Sequence, residues 1–357
     1  MQMVTLKRLM TFAGIAVLGL ALAACSREIT NVEQVVAGPQ ACFECHGDTS
    51  TALVRAALQW ENSRHASGRT LNENDGSCKG CHTSEGFVAR ATGTTAPDVI
   101  ADATPIHCFT CHAPHTNGDF RLRWTKIATL QNGTTYNLNS GNLCVACHQS
   151  RRNIKTYIAA APTRTKLSER FGPHHGPQGD MLIGSNGYEY AGYTYSRTEH
   201  RAATTANGKD GCLECHFRVT DRLVVGGHSF NMEADADGQT ILNTGACTPC
   251  HGEIKDFNDV DGVQDEVDGL LTDLEARLTT AGLMADGAAT EDSTSADSAG
   301  AVWNLLIAKD DRSHGVHNAQ YILGLLESSI QYISGTRPQN GTLAHVQRAM
   351  SGARNKR

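Results

Sequence analysis

The chain has 357 residues, of which 40% are hydrophobic and 19% charged, a balance typical of a protein that folds around its own core. Its formal charge of -6 offers no basic surface for phosphate groups, which argues against nucleic acid as a partner. The unusual counts are 13 cysteines and 16 histidines, and they direct attention to redox or metal chemistry.

The first residues have the layout of an export signal. Two basic residues precede an apolar run over residues 9–23, which is shorter than the roughly 20 residues that a membrane span needs. The run ends at Leu22-Ala-Ala-Cys25, which resembles a bacterial lipobox. The alternative is an ordinary signal peptide with an incidental cysteine. We predict a signal peptide over residues 1–24.

In lipoproteins, cleavage before the lipobox cysteine leaves that thiol to accept a diacylglyceryl group. The resemblance therefore implies that Cys25 is lipidated and that residues 25–39 form a lipid-anchored tether. Lipoproteins retained at the inner membrane commonly have Asp after this cysteine. Because Ser26 stands there, we expect the outer membrane, on its periplasmic or cell-surface face.

The other twelve cysteines all lie in six Cys-x-x-Cys-His segments, the pattern of covalent haem c attachment. Two thiols on one helical turn reach both vinyl groups of a haem, and the histidine that follows binds its iron. Zinc ribbons and disulfide frameworks do not require that histidine. The cysteines are Cys42, Cys45, Cys78, Cys81, Cys108, Cys111, Cys144, Cys147, Cys212, Cys215, Cys247 and Cys250. The proximal histidines are His46, His82, His112, His148, His216 and His251.

The six segments occupy residues 42–251 of a predicted hexahaem domain over residues 40–335. Porphyrins would fill much of its interior, so we predict a mainly α fold with extensive loops and little β structure. The longest interval between segments contains four tyrosines at residues 188–195. We expect them in a loop or short hairpin, packed on haem edges.

Beyond the last segment, apolar residues recur at helical spacing in two stretches. They predict amphipathic helices over about 260–280 and 302–334, joined by a polar loop over residues 285–300. Residues 336–357 form a basic tail. Four aspartates at residues 256–265 miss the EF-hand register, and we expect a solvated helix start there rather than a calcium site.

A low-spin haem needs a second axial ligand, for which neutral imidazole is the usual choice. Several histidines outside the haem segments lie in distinctive contexts. These are Trp60-Glu-Asn-Ser-Arg-His65, Gly172-Pro-His-His-Gly-Pro-Gln178, Gly226-Gly-His-Ser-Phe230 and His317-Asn318 ahead of an apolar stretch. They are similar to signatures of a family of multihaem cytochromes c distantly related to the cytochrome c nitrite reductase and hydroxylamine oxidoreductase lineage. The resemblance covers residues 40–335.

The resemblance implies one distal histidine for each haem. The candidates are His65, His115, His174 or His175, His200, His228 and His317. His107, directly before the third haem segment, competes with His115, whereas His345 lies near the basic terminus and is expected to be a bystander. Six distal groups for six haems argue against an open coordination position. The sequence does not show which distal histidine serves which haem.

These features predict an exported, lipid-anchored electron carrier rather than a catalyst. It would bind six haem c groups and exchange electrons with redox proteins of the periplasm, the outer membrane or the cell exterior. The chain contains no Cys-x-x-Cys-Lys segment, the form found at the active haem of the nitrite reductases it resembles. Two alternatives remain. One is a reductase of a nitrogen or sulfur oxyanion at one open haem, and the other is an oligomer that assembles into an extracellular cytochrome filament.

Overall fold

Short helical turns and loops dominate the first part of the described chain, and three longer helices follow them. The computed structural model describes residues 51–68, 71–117, 119–158, 163–197, 200 and 209–340, which all belong to one unit, His46–Arg357. The helices are α1 (Thr51–Glu61), α2 (Lys79–His82), α3 (Ser84–Thr92), α4 (Cys108–Cys111), α5 (Pro114–Asn117), α6 (Gly141–Val145), α7 (Ile154–Tyr157), α8 (Gln178–Ile183), α9 (Leu213–His216), α10 (Thr248–His251), α11 (Val263–Thr280), α12 (Ala296–Asp311) and α13 (Ala319–Ile333).

The strands of the described residues are short and occur in antiparallel pairs. The pairs are β1 (Ala128–Thr129) with β2 (Thr135–Tyr136), β3 (Thr165–Lys166) with β8 (Ser293–Thr294), β4 (Glu233–Ala236) with β5 (Gln239–Leu242), and β6 (Met284–Ala285) with β7 (Ala288–Ala289). The β3–β8 pair joins the middle of the chain to the start of α12, with Thr165 opposite Thr294.

The apolar core lies among α11, α12 and α13. Leu274 and Leu278 of α11, Trp303 of α12, and Tyr321 and Leu325 of α13 are all fully buried there. Side chains of this size contribute about 1.5–3 kcal/mol each when removed from water. These buried side chains form one core that joins the three helices after the last haem segment.

The helix predicted over 302–334 is wrong in one respect, because the structure has two helices in its place. A turn over residues 312–318 separates α12 from α13, and Arg312, His314 and Gly315 all adopt positive φ angles in it (58°, 51° and 93°). A side chain at Gly315 would meet Val267 Cγ2 at 2.8 Å, so the turn also packs closely against α11. The polar loop predicted over 285–300 contains the β6–β7 hairpin and the first turn of α12.

The tyrosine-rich segment at residues 188–195 is a loop that packs on α12 and α13. The Tyr188 hydroxyl donates to Asp297 at 2.6 Å, and the Tyr193 hydroxyl donates to Glu327 at 2.8 Å. These hydroxyls join the loop to the helical core, and the packing of the tyrosines on haem edges stays a prediction.

Among the described residues, none of the helices combines the length and the apolar character needed to cross a membrane.

Candidate functional site

Each Cys-x-x-Cys-His segment in the described chain folds into a single helical turn. In all five, the histidine amide donates to the carbonyl of the first cysteine, at 2.9–3.2 Å. Both thiols and the imidazole therefore belong to the same helical turn, as attachment to one porphyrin requires. The described cysteines are free of disulfides. The first segment, with Cys42, Cys45 and His46, lies outside the described residues, as do Cys25 and His345.

Each of these five proximal histidines faces a histidine from elsewhere in the chain. The ring-centre distances are 6.4 Å for His82 and His174, 6.4 Å for His112 and His228, 6.2 Å for His148 and His65, 6.1 Å for His216 and His317, and 5.8 Å for His251 and His200.

These distances fit one metal ion between the two rings of each pair. With metal–nitrogen bonds of about 2.0–2.1 Å and ring centres about 1.1 Å behind the nitrogens, two opposed imidazoles lie about 6.3 Å apart. The observed separations of 5.8–6.4 Å match this value. Because each pair also has two cysteines outside any disulfide in the same turn as its proximal histidine, the residues present fit covalently attached haem c.

Helix α1 and the turn after it position two of these partner histidines. His65 lies in a 3-10 turn, Arg64–Ser67, which is capped by the Ser63 side chain. The amide of His228 donates to Gln59 Oε1 at 3.2 Å. Gly227 must be glycine, since its φ is +53° and a Cβ there would lie 2.3 Å from Gln59 Oε1.

Burial keeps several paired histidines in the neutral form that binds metal. Burial, with a smaller contribution from the facing histidine of each pair, lowers the pKa of His65, His216 and His228 to about 4. A neutral imidazole has a free lone pair for a metal ion at neutral pH. Burial also acts to lower the pKa of His317, but the charge and the hydrogen bond of Asp311 outweigh it and raise that pKa.

The second ring nitrogen of several paired histidines is held by a hydrogen bond. Nδ1 of His112 lies 2.6 Å from the Phe120 carbonyl oxygen, and Nδ1 of His216 lies 2.8 Å from that of Phe230. Such a bond fixes the proton on Nδ1 and leaves the Nε2 lone pair for the metal.

Two other paired histidines use side-chain acceptors at Nδ1. His148 Nδ1 lies 3.1 Å from Gln178 Oε1, and His317 Nδ1 lies 2.7 Å from Asp311 Oδ1. No spacing in the sequence distinguishes Asp311 from its neighbour Asp310. Gln178 appeared only as the last residue of a signature.

The structure separates His174 from His175, which the sequence leaves open. The His174 ring faces His82, and its residue adopts a positive φ of 72°. His175 is exposed, and its Nδ1 lies 3.3 Å from Asp310 Oδ1.

His107 and His115 do not face a proximal histidine within the described chain. His107 caps α4, because its Nδ1 accepts the Phe109 amide at 3.2 Å. The exposed His115 contacts the Phe109 ring at 5.9 Å between ring centres.

The second, fourth and fifth haem segments lie side by side. The Ser140 amide, just before the fourth segment, donates to Asp210 Oδ1 at 3.1 Å, and Cys212 of the fifth segment packs against the apolar cluster that contains Val145. Arg90 joins the second segment to the fourth, because its guanidinium donates to Cys81 Sγ at 3.5 Å and to the Ala146 carbonyl at 2.6 Å. Haems attached to these three segments would therefore be neighbours, with the fourth in the middle.

Comparison with known proteins gives relatives of one kind. The chain is similar to the C-type polyheme cytochrome OmcB of Geobacter sulfurreducens, with 23% identity over 261 residues. The match covers 60% of this chain and 32% of the relative. It is also similar to the C-type polyheme cytochrome OmcC of the same organism, with 24% identity over 219 residues. That match covers 49% of this chain and 28% of the relative. The matches span about a third of these curated relatives. No protein-family model matches the chain.

Among solved structures, the chain is similar to the Outer Cell Wall Cytochrome OcwA. The TM-score is 0.50 at 23% identity, and the match covers 77% of this chain and 49% of that chain. At this identity the likeness concerns the fold. It confirms the predicted fold class, a mainly α multihaem cytochrome fold with extensive loops and little β structure.

Proposed function

We propose that this chain, a multihaem c-type cytochrome, is an electron carrier that passes electrons along its haems between redox proteins outside the cytoplasm. The observation that carries the proposal is the pairing of histidines, since all five described proximal histidines already face a second imidazole. Two axial imidazoles leave no coordination position for a substrate. Haem c supplies an iron that accepts and donates single electrons.

The proposed axial pairs are the five described above. In each pair the two rings face each other, and the Nδ1 hydrogen bonds keep several of them from rotating. A site held in this way needs little rearrangement when its charge changes by one electron. For His46, we propose His115 as the partner, because the resemblance includes it and the five described pairs do not use it. His107 is the alternative, although its Nδ1 already caps α4.

We propose that electrons pass through the second, fourth and fifth haems in that order. The Arg90 contacts that join the second segment to the fourth, and the hydrogen bond from the Ser140 amide to Asp210 that joins the fourth to the fifth, support this order. Short distances between neighbouring haems favour transfer of single electrons from one to the next, without any bond being made or broken.

The location of the carrier is also part of the proposal. The lipobox-like Leu22-Ala-Ala-Cys25 supports a diacylglyceryl anchor on Cys25 and an outer-membrane location. The name of the similar solved structure, an outer cell wall cytochrome, is consistent with export. We expect Cys25→Ser to move the protein from the membrane fraction to the soluble fraction of cells, while its haem content stays the same. An unchanged membrane fraction would argue against the anchor.

The central test is low-temperature electron paramagnetic resonance of the oxidised, full-length protein. We expect low-spin ferric signal that accounts for all six haems, and no binding of carbon monoxide by the reduced protein. One high-spin haem per chain, together with carbon monoxide binding, would overturn the carrier proposal. Assays with nitrite, hydroxylamine and tetrathionate would then be the next step.

A further inference from the structure

We infer that Asp311 lowers the reduction potential of the haem held between His216 and His317. Asp311 acts through His317 and is therefore a positioning residue with an electronic effect. The inference rests on the proposed function, because it requires these two histidines to be axial ligands.

The carboxylate of Asp311 is part of a closed hydrogen-bonded group at the end of α12. Asp311 is 2% exposed, and its Oδ1 accepts His317 Nδ1 at 2.7 Å. Its Oδ2 accepts the Ser313 hydroxyl, and Ser313 Oγ accepts the His317 amide at 3.2 Å. Both carboxylate oxygens are used, so the buried charge is well solvated by the protein and fixes the His317 ring.

A carboxylate at Nδ1 makes the imidazole a stronger donor to the metal. The N–H is polarised towards the anion, and the extra electron density at Nε2 stabilises ferric iron more than ferrous iron. The negative charge itself acts in the same direction, and it does so strongly in a buried site. Asp311 is also the last residue of α12, where the partial negative charge of the helix end adds to the effect.

The fourth haem segment provides an internal comparison. Its proximal histidine, His148, has the neutral Gln178 amide oxygen at Nδ1, at 3.1 Å. The two sites therefore share a hydrogen-bonded Nδ1 but differ in the charge of the acceptor. A single substitution at Asp311 can make its acceptor neutral, and a single substitution at Gln178 can make its acceptor charged.

The test is a potentiometric titration of the full-length, haem-loaded protein and three variants. In Asp311→Asn, the amide oxygen can still accept the His317 N–H, so the ring stays in place while the charge is lost. Changes next to a metal ligand typically alter affinity 10–100-fold. We expect the reduction equilibrium of one haem to shift by that factor, which raises its potential by about 60–120 mV at 59 mV per tenfold change.

Gln178→Glu is the reciprocal variant, and we expect it to lower the potential of a different haem. It also removes the donations from Gln178 Nε2 to the carbonyls of Asp310 and Asp311, so a retained low-spin signal must show that both haem sites are intact. Asp310→Asn is the matched control. It changes the neighbouring residue, whose carboxylate faces His175 and also acts by its charge on His174, and we expect no shift in the potential of the haem between His216 and His317.

The outcomes separate this inference from the proposed function. If Asp311→Asn stays low-spin and its titration curve coincides with that of the unmodified protein, the inference is wrong and the carrier proposal stands. If Asp311→Asn gains a high-spin haem, Asp311 only holds His317 in place, and the electronic role is refuted. A high-spin haem in the unmodified protein is the result that contradicts the carrier proposal.

Discussion

The two adjacent histidines at residues 174 and 175 allow a sharp test of the axial pairs. His174 faces His82 with 6.4 Å between ring centres, whereas His175 is exposed beside Asp310. His174→Ala should therefore remove one axial ligand, and His175→Ala should remove none. With six haem segments in the chain, we expect one sixth of the ferric iron to become high-spin in the first variant and no change in the second.

A third variant separates loss of the ligand from loss of folding. His174 has a φ of 72°, a conformation that costs a residue with a side chain roughly 1–2 kcal/mol. Glycine adopts it freely but loses about 0.5–1 kcal/mol of backbone entropy relative to alanine. His174→Gly should therefore keep the backbone stability within about 1 kcal/mol, while it shows the same high-spin fraction as His174→Ala.

The assay is spin integration of the oxidised proteins at low temperature, with circular dichroism to verify the fold. A high-spin signal in His175→Ala, or its absence from both His174 variants, would refute the assignment of His174 to the iron of the second haem segment. Addition of imidazole to His174→Gly should restore the low-spin signal.

Two further predictions concern stability. Asn304 is buried and binds both backbone groups of Tyr188, at 2.7 and 2.9 Å, so Asn304→Ala should lower the free energy of unfolding by about 2–4 kcal/mol. In a denaturant titration the exposed Asn62→Ala should change it by less than about 1 kcal/mol, and equal effects would contradict the reasoning. Burial raises the pKa of Asp180 to about 6, so its ionisation costs the folded state up to about 3 kcal/mol as pH rises from 4 to 7. Asp180→Asn keeps an acceptor for the Ser150 amide and should lose this pH dependence. If the free energy of unfolding of the variant and of the unmodified protein changes with pH in the same way, the assignment to Asp180 is refuted.

The sequence was most informative where the structure is local. A Cys-x-x-Cys-His segment forms one helical turn by its own hydrogen bonds, from the His82 amide to the Cys78 carbonyl, for example, so its geometry follows from spacing alone. The resemblance also selected distal candidates that the structure brings to proximal histidines. The resemblance does not indicate which distal histidine faces which proximal histidine. Partners such as His65 and His148 meet only in the tertiary fold.

Other features depended on contacts that no periodicity reveals. The apolar pattern runs on through residues 302–334, and the break after Asp311 arises from positive φ angles and from the Asp311–Ser313–His317 hydrogen bonds. Carboxylates and hydroxyls on α12 and α13 bind the phenol groups of the tyrosine-rich loop, and the spacing of the tyrosines does not indicate these partners.

The order of the paired histidines along the chain has a consequence for how the protein matures. His82, His112 and His216 each meet a partner that is synthesised after them, and for His216 that partner is His317, beyond α12. A haem attached early to one of these segments would lack its second axial ligand until the later part of the chain folded over its other face. The helical core around Trp303 would then complete a haem site as well as a fold, and we expect the last axial ligand to bind only when α12 and α13 have packed together.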